Sequence, residues 1–421
     1  MEHGASRAVA LACAPISTGG TIVTSSGRII AIVVAAAASL AGPAGADTDP
    51  TVKPAAAPVA VAPALPATEA ALPSPAPTPS PAVAPSTTPA PLVATQPVNR
   101  PEDAALPVLS PLPAQKLDAA AARAPHDPSA LGGYDVLIAD RGNDRLIIVN
   151  PQRQIIWQYH FQGIPPHEGA DDAFFADHGK SIVTNLEHGQ VILKIDIATG
   201  KTLWSYGKLG QAGAAPGLLD YPDDAYQLPN GNIIVADIRN CRILEIAPDK
   251  HIVRQAGRTD NCSGEPGTLR SPNGDRPLAN GGVLVSEIQG HSLAELGPDW
   301  KPVYHFVLPI LYPSDPQPTH GGNVIVAGYT RPGNIIEISP AGKELWRYRP
   351  APGEELNRPS LAEELPNGNI LATDDLNHRI VVIERKTNRI LWQYGVRGMR
   401  GDQPGYLHIP DGLDIIPETQ K

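Results

Sequence analysis

Clustered basic residues are missing from this chain, and their absence removes one broad class of function. Lys and Arg number 33 against 43 Asp and Glu, which leaves a formal net charge of −10. A nucleic-acid surface needs Lys and Arg gathered on one face, so nucleic acid is not an expected partner. No run of like charge is long enough to act as an interaction tail. Long apolar runs are missing as well. The best of them, Ile29 to Leu40, falls short of the ~20 residues of a comfortable membrane span. Zinc signatures are missing, with no HExxH and no paired CxxC. Cysteine occurs only 3 times, with no vicinal pair and no quinone-binding cluster of arginines, so pyrroloquinoline quinone is not an expected cofactor.

What the chain has in excess is proline, 47 residues, with the excess concentrated before residue 130. Ahead of that tract, Arg28 precedes the apolar run and Pro43 breaks it. Ala44 and Ala46 then put small residues where a signal peptidase reads. The expectation is a signal peptide over 1–46, cleaved before Asp47, with an uncleaved membrane anchor as the alternative. Either leaves the remainder secreted or at the cell surface. No cysteine follows the run, which argues against a lipid-anchored lipoprotein. Residues 47–129 read as a disordered Pro/Ala-rich linker. Proline donates no amide and fixes φ, so the tract from Pro73 to Pro79 favours extended polyproline II. Such a spacer would tether the rest to a membrane or a cell wall, or serve no purpose beyond connection.

From residue 130 to 421 the texture changes to short β-branched runs between Gly, Pro, Asn and Asp clusters, the mark of an all-β domain. The runs repeat. They end at Asp140, Asn185, Asp237, Glu287, Gly328 and Asp374, spaced 45, 52, 50, 41 and 46 residues apart, the period of a four-stranded propeller blade. Four of the five Trp residues, Trp157, Trp204, Trp346 and Trp392, hold one position in the same phase. Packing residues recur in every blade and binding residues rarely do, so these rings are expected to fill the wide wedge between blades.

A third marker lies 14 residues before the end of each complete run: Asp171, Asp223, Asn273, Ser314 and Ser360, with Asp411 as the sixth copy. The last copy has no partner strand after it, and the first run, ending at Asp140, has none before it. The C-terminal strand must therefore complete the first blade. The expected fold is a six-bladed β-propeller closed by its own C-terminus, which leaves no free inner edge.

These residues resemble the NHL and quinoprotein-like propeller families. The stretches Gly231 to Ile243 and Asn369 to Ile380 look like NHL repeats, and the linkers Pro216 to Asp223 and Pro404 to Asp411 fit that pattern. Thr199 to Trp204 looks like the outer strand of a quinone-type repeat, a likeness that implies packing only. Gln227 to Asn232 and Glu364 to Asn369 are similar to segments of bacterial arylsulfotransferases. The resemblance implies the fold. Such propellers include lyases, lactonases, transferases and interaction modules.

The third marker opens the innermost strand, so its six side chains should ring one channel mouth. Three carboxylates and three neutral oxygens suit a hard cation such as Ca²⁺. Asp172, Asp224 and Asp315 follow directly and add negative charge. Asp, Asn and Ser at such positions also cap turns by bonding their own backbone, and that reading competes with the first. His167 and His408 lie in loops before inner strands and are secondary candidates, without metal-ligand spacing. At the position two before each ring oxygen, where an arylsulfotransferase would carry channel histidines, the chain has Gly169, Tyr221, Ser271, Tyr312, Arg358 and Ile409. Catalytic residues are not identifiable on these grounds. The favoured function is an extracytoplasmic scaffold that binds a protein or small-molecule ligand on a Pro-rich stalk. The alternative is a propeller lyase, hydrolase or transferase that uses the channel, with a bound metal. Cys241 and Cys262 flank one hairpin and are expected to pair in an oxidising compartment.

Overall fold

The computed structural model describes residues 104–108, 112–113 and 115–418. The expected export segment and the linker up to residue 103 lie outside the described residues.

Six four-stranded antiparallel sheets make up the fold. Blade 1 holds β1 (Tyr134–Asp140), β2 (Arg145–Val149) and β3 (Ile155–His160). Blade 2 runs from β4 (Ala173–Ala176) through β5 (Ser181–Leu186) and β6 (Val191–Asp196) to β7 (Thr202–Gly207). Blade 3 is β8 (Pro222–Gln227), β9 (Ile233–Asp237), β10 (Arg242–Ile246) and β11 (Ile252–Gly257). Blade 4 is β12 (Pro272–Gly274), β13 (Val283–Glu287), β14 (Ser292–Leu296) and β15 (Pro302–Val307). Blade 5 is β16 (Pro313–Pro318), β17 (Val324–Gly328), β18 (Asn334–Ile338) and β19 (Glu344–Arg347). Blade 6 is β20 (Ala362–Glu364), β21 (Ile370–Asp374), β22 (Arg379–Glu384) and β23 (Arg389–Gly395). The inner strand of blade 1 comes from the far end of the chain, β24 (Pro410–Pro417), paired antiparallel to β1 from Tyr134 opposite Pro417 to Asp140 opposite Pro410. The ring is closed as expected.

The second strand of each blade is buried along almost its whole length because neighbouring blades cover both of its faces, as Ile233 to Asp237 shows with every residue buried. The acidic residue that ends this strand has a repeated structural task. Asp140, Asp237 and Asp374 each pair with an arginine five residues on, Arg145, Arg242 and Arg379, at 2.7 Å. Their other oxygens accept the backbone N–H of His408, Asp220 and Asn357, each at 2.7 Å. One carboxylate thus pins each inter-blade loop to the sheet it leads into.

The tryptophans act between blades. Trp157, Trp204, Trp346 and Trp392 each donate the indole N–H to a carbonyl in the outer hairpin of the next blade, those of Ile197, Pro248, Arg385 and Pro151, at 2.9–3.1 Å. Blade 3 has Arg254 at this position. Arg254 makes the equivalent bond to the Pro298 carbonyl at 2.9 Å and lies over the Trp300 ring. The fifth tryptophan therefore compensates from the neighbouring blade 4, and a cavity of about 490 Å³ lined by Leu228, Leu278 and Trp300 remains there.

Residues 115–129, which composition assigned to the linker, are docked on the propeller. Asp118 caps a one-turn helix, α1 (Ala119–Ala122), and accepts a hydrogen bond from Tyr406 Oη at 2.7 Å. Gln115 exchanges two bonds with the backbone of Ile155. The backbone of Pro125 and Asp127 pairs with Gln393 and Leu391 and covers the outer edge of blade 6. Cys241 and Cys262 form a disulfide with a Cα separation of 5.3 Å. Among the described residues no helix is long and apolar enough to cross a membrane.

Candidate functional site

The inner strands begin with a repeated backbone device. Tyr221, Ser271, Tyr312, Arg358 and Ile409, each followed by a proline, have φ between 48° and 59°. Non-glycine residues adopt this left-handed region infrequently, and five of them at one level reverse the chain from each loop into the channel wall. Their side chains build the mouth. Tyr221 packs on His188 with 5.1 Å between ring centroids, Tyr312 packs on Tyr329 at 5.2 Å, and Arg239 lies over the Tyr221 ring.

The six ring residues follow, and all six are buried. The neutral members join blades. Asn273 donates to Ser314 Oγ at 2.9 Å, and Ser360 donates to the Asp411 carbonyl at 2.7 Å. Among the acidic members, Asp171 and Asp411 are bridged by Arg141, which lies 2.7 Å from Asp411. The same guanidinium reaches Glu187 at 2.9 Å and His188 at 2.6 Å. Asp223 lies beside Asp172, with carboxylate oxygens within 4.8 Å of each other.

The next level down is more concentrated. One oxygen from each of Asp172, Asp224 and Asp315 lies within 4.8 Å of the other two, and Asp171, Asp172 and Asp223 form a second such group. These side chains come from blades 2, 3 and 5. Asp172, Asp224 and Asp315 are no more than 2% exposed. Asp172 Oδ1 and Asp224 Oδ2 accept no hydrogen bond, and neither oxygen of the fully buried Asp275 does. Among the described residues no lysine or arginine forms a salt bridge with this inner group, although Arg276 pulls Asp224 and Asp275 down electrostatically. Nine buried carboxylates, those of Asp171, Asp172, Glu187, Asp223, Asp224, Asp275, Asp315, Asp375 and Asp411, thus share the channel. At its far end Arg276 faces Tyr226, Asp414 and Glu363.

Burial pushes most of these groups up, and their mutual repulsion adds to it. Asp172 is raised to about 6 and Glu187 to about 7. Asp223, Asp224, Asp275, Asp315 and Asp375 are raised well above the ordinary carboxylate range for the same reasons. Asp411 goes the other way. Burial would raise it, but Arg141 and hydrogen bonds from Asp171 and Asp375 outweigh that effect. The channel is therefore a store of oxygen ligands with too little positive charge to ionise them all.

His167 and His408 both bond the Gly142 carbonyl, at 2.6 and 3.0 Å, and their rings lie 5.4 Å apart. His378 joins them, 5.5 Å from His408. Burial lowers His378 to about 4 and lowers His408 as well. Sequence reasoning missed Arg141, Glu187, Asp275, Asp375 and His378. One signal was present: the residue after each second-strand run is Leu186, Ile238 or Ile288 in three blades but Arg141, Tyr329 or Asp375 in the others.

No protein-family model matches the chain, and no curated protein matches it. Solved structures do. A protein of unknown function from Bacteroides caccae aligns over 68% of this chain and 99% of its own, at 16% identity and a TM-score of 0.51. The virginiamycin B lyase of Staphylococcus aureus aligns over 68% and 92%, at 14% identity and 0.45. BamB from Moraxella catarrhalis aligns over 63% and 74%, at 16% identity and 0.35. At these identities the likeness is one of fold.

Proposed function

We propose that this protein is an exported binding propeller whose channel holds one hard divalent cation and whose loop-lined mouth presents the recognition surface. The observation that carries the reading is the approach of Asp172, Asp224 and Asp315 to within 4.8 Å, with buried oxygens that have no hydrogen-bond partner. Two unit charges at that separation repel by roughly 3 kcal/mol at an effective dielectric constant of 20. Three ionised carboxylates would add to about 10 kcal/mol, so the group needs either protons or a cation. Calcium suits it better than magnesium. It accepts six to eight oxygens in loose geometry, whereas Mg²⁺ demands an octahedron and keeps its water. Asn185, buried beside Asp172 with an unpartnered Oδ1, adds a neutral oxygen. Export is supported by the Cys241–Cys262 disulfide, since such bonds persist in oxidising compartments.

A second reading is an enzyme that uses the same ion. It is favoured by His378 and His408, which stay neutral at the mouth and could accept a proton. The binding reading is preferred because, among the described residues, no nucleophilic side chain is hydrogen-bonded to either ring. Titration calorimetry of the chelator-treated full chain with Ca²⁺ tests the proposal. A single saturable site that is lost in D172N/D224N but retained in H378Q/H408Q supports it. The same null titration in wild type and mutant, both folded, overturns it.

A further inference from the structure

The ligand group lies between two arginines. Arg276 stands at the far end, and Arg141 stands at the mouth. Arg141 does not belong to the channel wall. It opens the short turn Arg141–Asn143 between β1 and β2, and its side chain, 15% exposed, reaches from there across the channel. It links three carboxylates from two blades: Asp171 and Glu187 of blade 2, and Asp411 of the closing strand. Directly beneath its partner Asp171 lies Asp172, the residue common to both oxygen groups. A guanidinium held there has two effects. It occupies the mouth-side carboxylates Asp171 and Asp411, and it acts as a tethered cation that competes with an incoming ion for the same negative charge.

We propose that Arg141 is a gate: a divalent cation reaches Asp172, Asp224 and Asp315 from the mouth only when the Arg141 side chain swings off Asp171 and Asp411. This rests on the cation reading above. Arg141 is held by three ionic hydrogen bonds and by His188, so the open form is a minority state. Apparent affinity then falls by the open fraction, and association slows with it. The gate also selects by charge. A monovalent cation displaces the guanidinium without net gain, whereas a divalent ion brings a second charge to a group that needs it.

The probe is Tb³⁺, a hard ion that replaces Ca²⁺ and emits when a nearby tyrosine is excited. Tyr226 Oη lies 3.4 Å from Asp224 Oδ1 and supplies the sensitiser. Stopped-flow luminescence on the full chain should give slow association in wild type and at least tenfold faster association in R141Q, with a correspondingly lower apparent Kd. R141K retains the charge but not the fork that spans the carboxylates, and it should also associate faster. R276Q removes a charge that acts on Asp224 from the far end and should speed association less than R141Q does, and Y226F should lose the emission while keeping the metal. Equal rates in wild type, R141Q and R141K, with Tb³⁺ bound in each, overturn the gate and leave the cation site standing. Greater acceleration in R276Q than in R141Q instead puts the access route at the other end and overturns it too. Absence of Tb³⁺ from all of these folded proteins overturns both the gate and the site beneath it.

Discussion

Raising the pH of metal-free protein should destabilise it, and the channel sets the window. Glu187 rises from an ordinary 4.5 to about 7 and Glu363 from 4.5 to about 8, both chiefly through burial. The folded state therefore holds protons that the unfolded state has already released. That stability is fully present below the unfolded value of 4.5 and is lost as pH rises through 7 and 8. His378 has the opposite slope, because burial holds it down to about 4, but its contribution is complete by about 6.5. Between pH 6.5 and 8 the two glutamates together give up roughly 2 kcal/mol, by linkage at ~1.4 kcal/mol per unit. Asp224, Asp275 and Asp315, raised further, lose their protons in the same direction. For a domain of this size the fall in Tm should be at least roughly 3 °C. The two glutamates alone account for roughly 3–4 °C of that fall at ~2.1 cal/mol/K per residue, and the aspartates for the rest. The assay is thermal unfolding by circular dichroism in EDTA at pH 6.5, 7.25 and 8, repeated with excess Ca²⁺. The cation favours the ionised carboxylates, so Ca²⁺ should flatten the profile and raise Tm most at pH 8. An EDTA profile that is flat or rises from pH 6.5 to 8 would refute the reasoning about buried, under-compensated carboxylates.

A chain ending before Ile409 should fail to unfold cooperatively, because β1 then loses its partner; a melt equal to that of the full chain would contradict closure by β24. Starting the chain at Ala130 removes the Asp118–Tyr406 bond and the cover on the blade 6 edge, so it should melt several degrees below a chain starting at Ala104 in the same differential scan. Replacing both Cys241 and Cys262 by Ser should cost ~3 kcal/mol for the 21-residue span, read by urea unfolding. Trp392→Phe keeps most of the packing but drops the bond to the Pro151 carbonyl, and should cost ~1 kcal/mol, against ~3–5 kcal/mol for Trp392→Ala.

The fold was legible because each blade writes its packing into the same positions. The runs ending at Asp140, Asp237 and Asp374 mark strands buried on both faces, and the tryptophans mark the inter-blade latches. Even the break in the pattern at Arg254 has a structural counterpart in Trp300. The site was legible only in part. The ring residues and Asp172, Asp224 and Asp315 could be placed because they ride on the repeat. Asp275 escaped because blade 4 inserts Gly274 where blades 3 and 5 carry Asp224 and Asp315, which moves its carboxylate one residue along. Arg141 holds a repeat position, the residue after a run, but no period shows that its side chain reaches Asp171, Glu187 and Asp411, and Glu187 sits in the turn beyond such a position. The docking of residues 115–129 escaped for a different reason. It rests mainly on polar and backbone contacts of Gln115, Asp118, Pro125 and Asp127, which leave no apolar periodicity to read.

The most direct test of the central claim is the metal content of the purified full chain. Protein should be equilibrated with Ca²⁺ at pH 7.5, freed of unbound ion by gel filtration and analysed by inductively coupled plasma mass spectrometry beside folded D172N/D224N. The account predicts one Ca²⁺ per wild-type chain and almost none in the variant. Wild-type protein that folds normally and emerges without stoichiometric metal would contradict it.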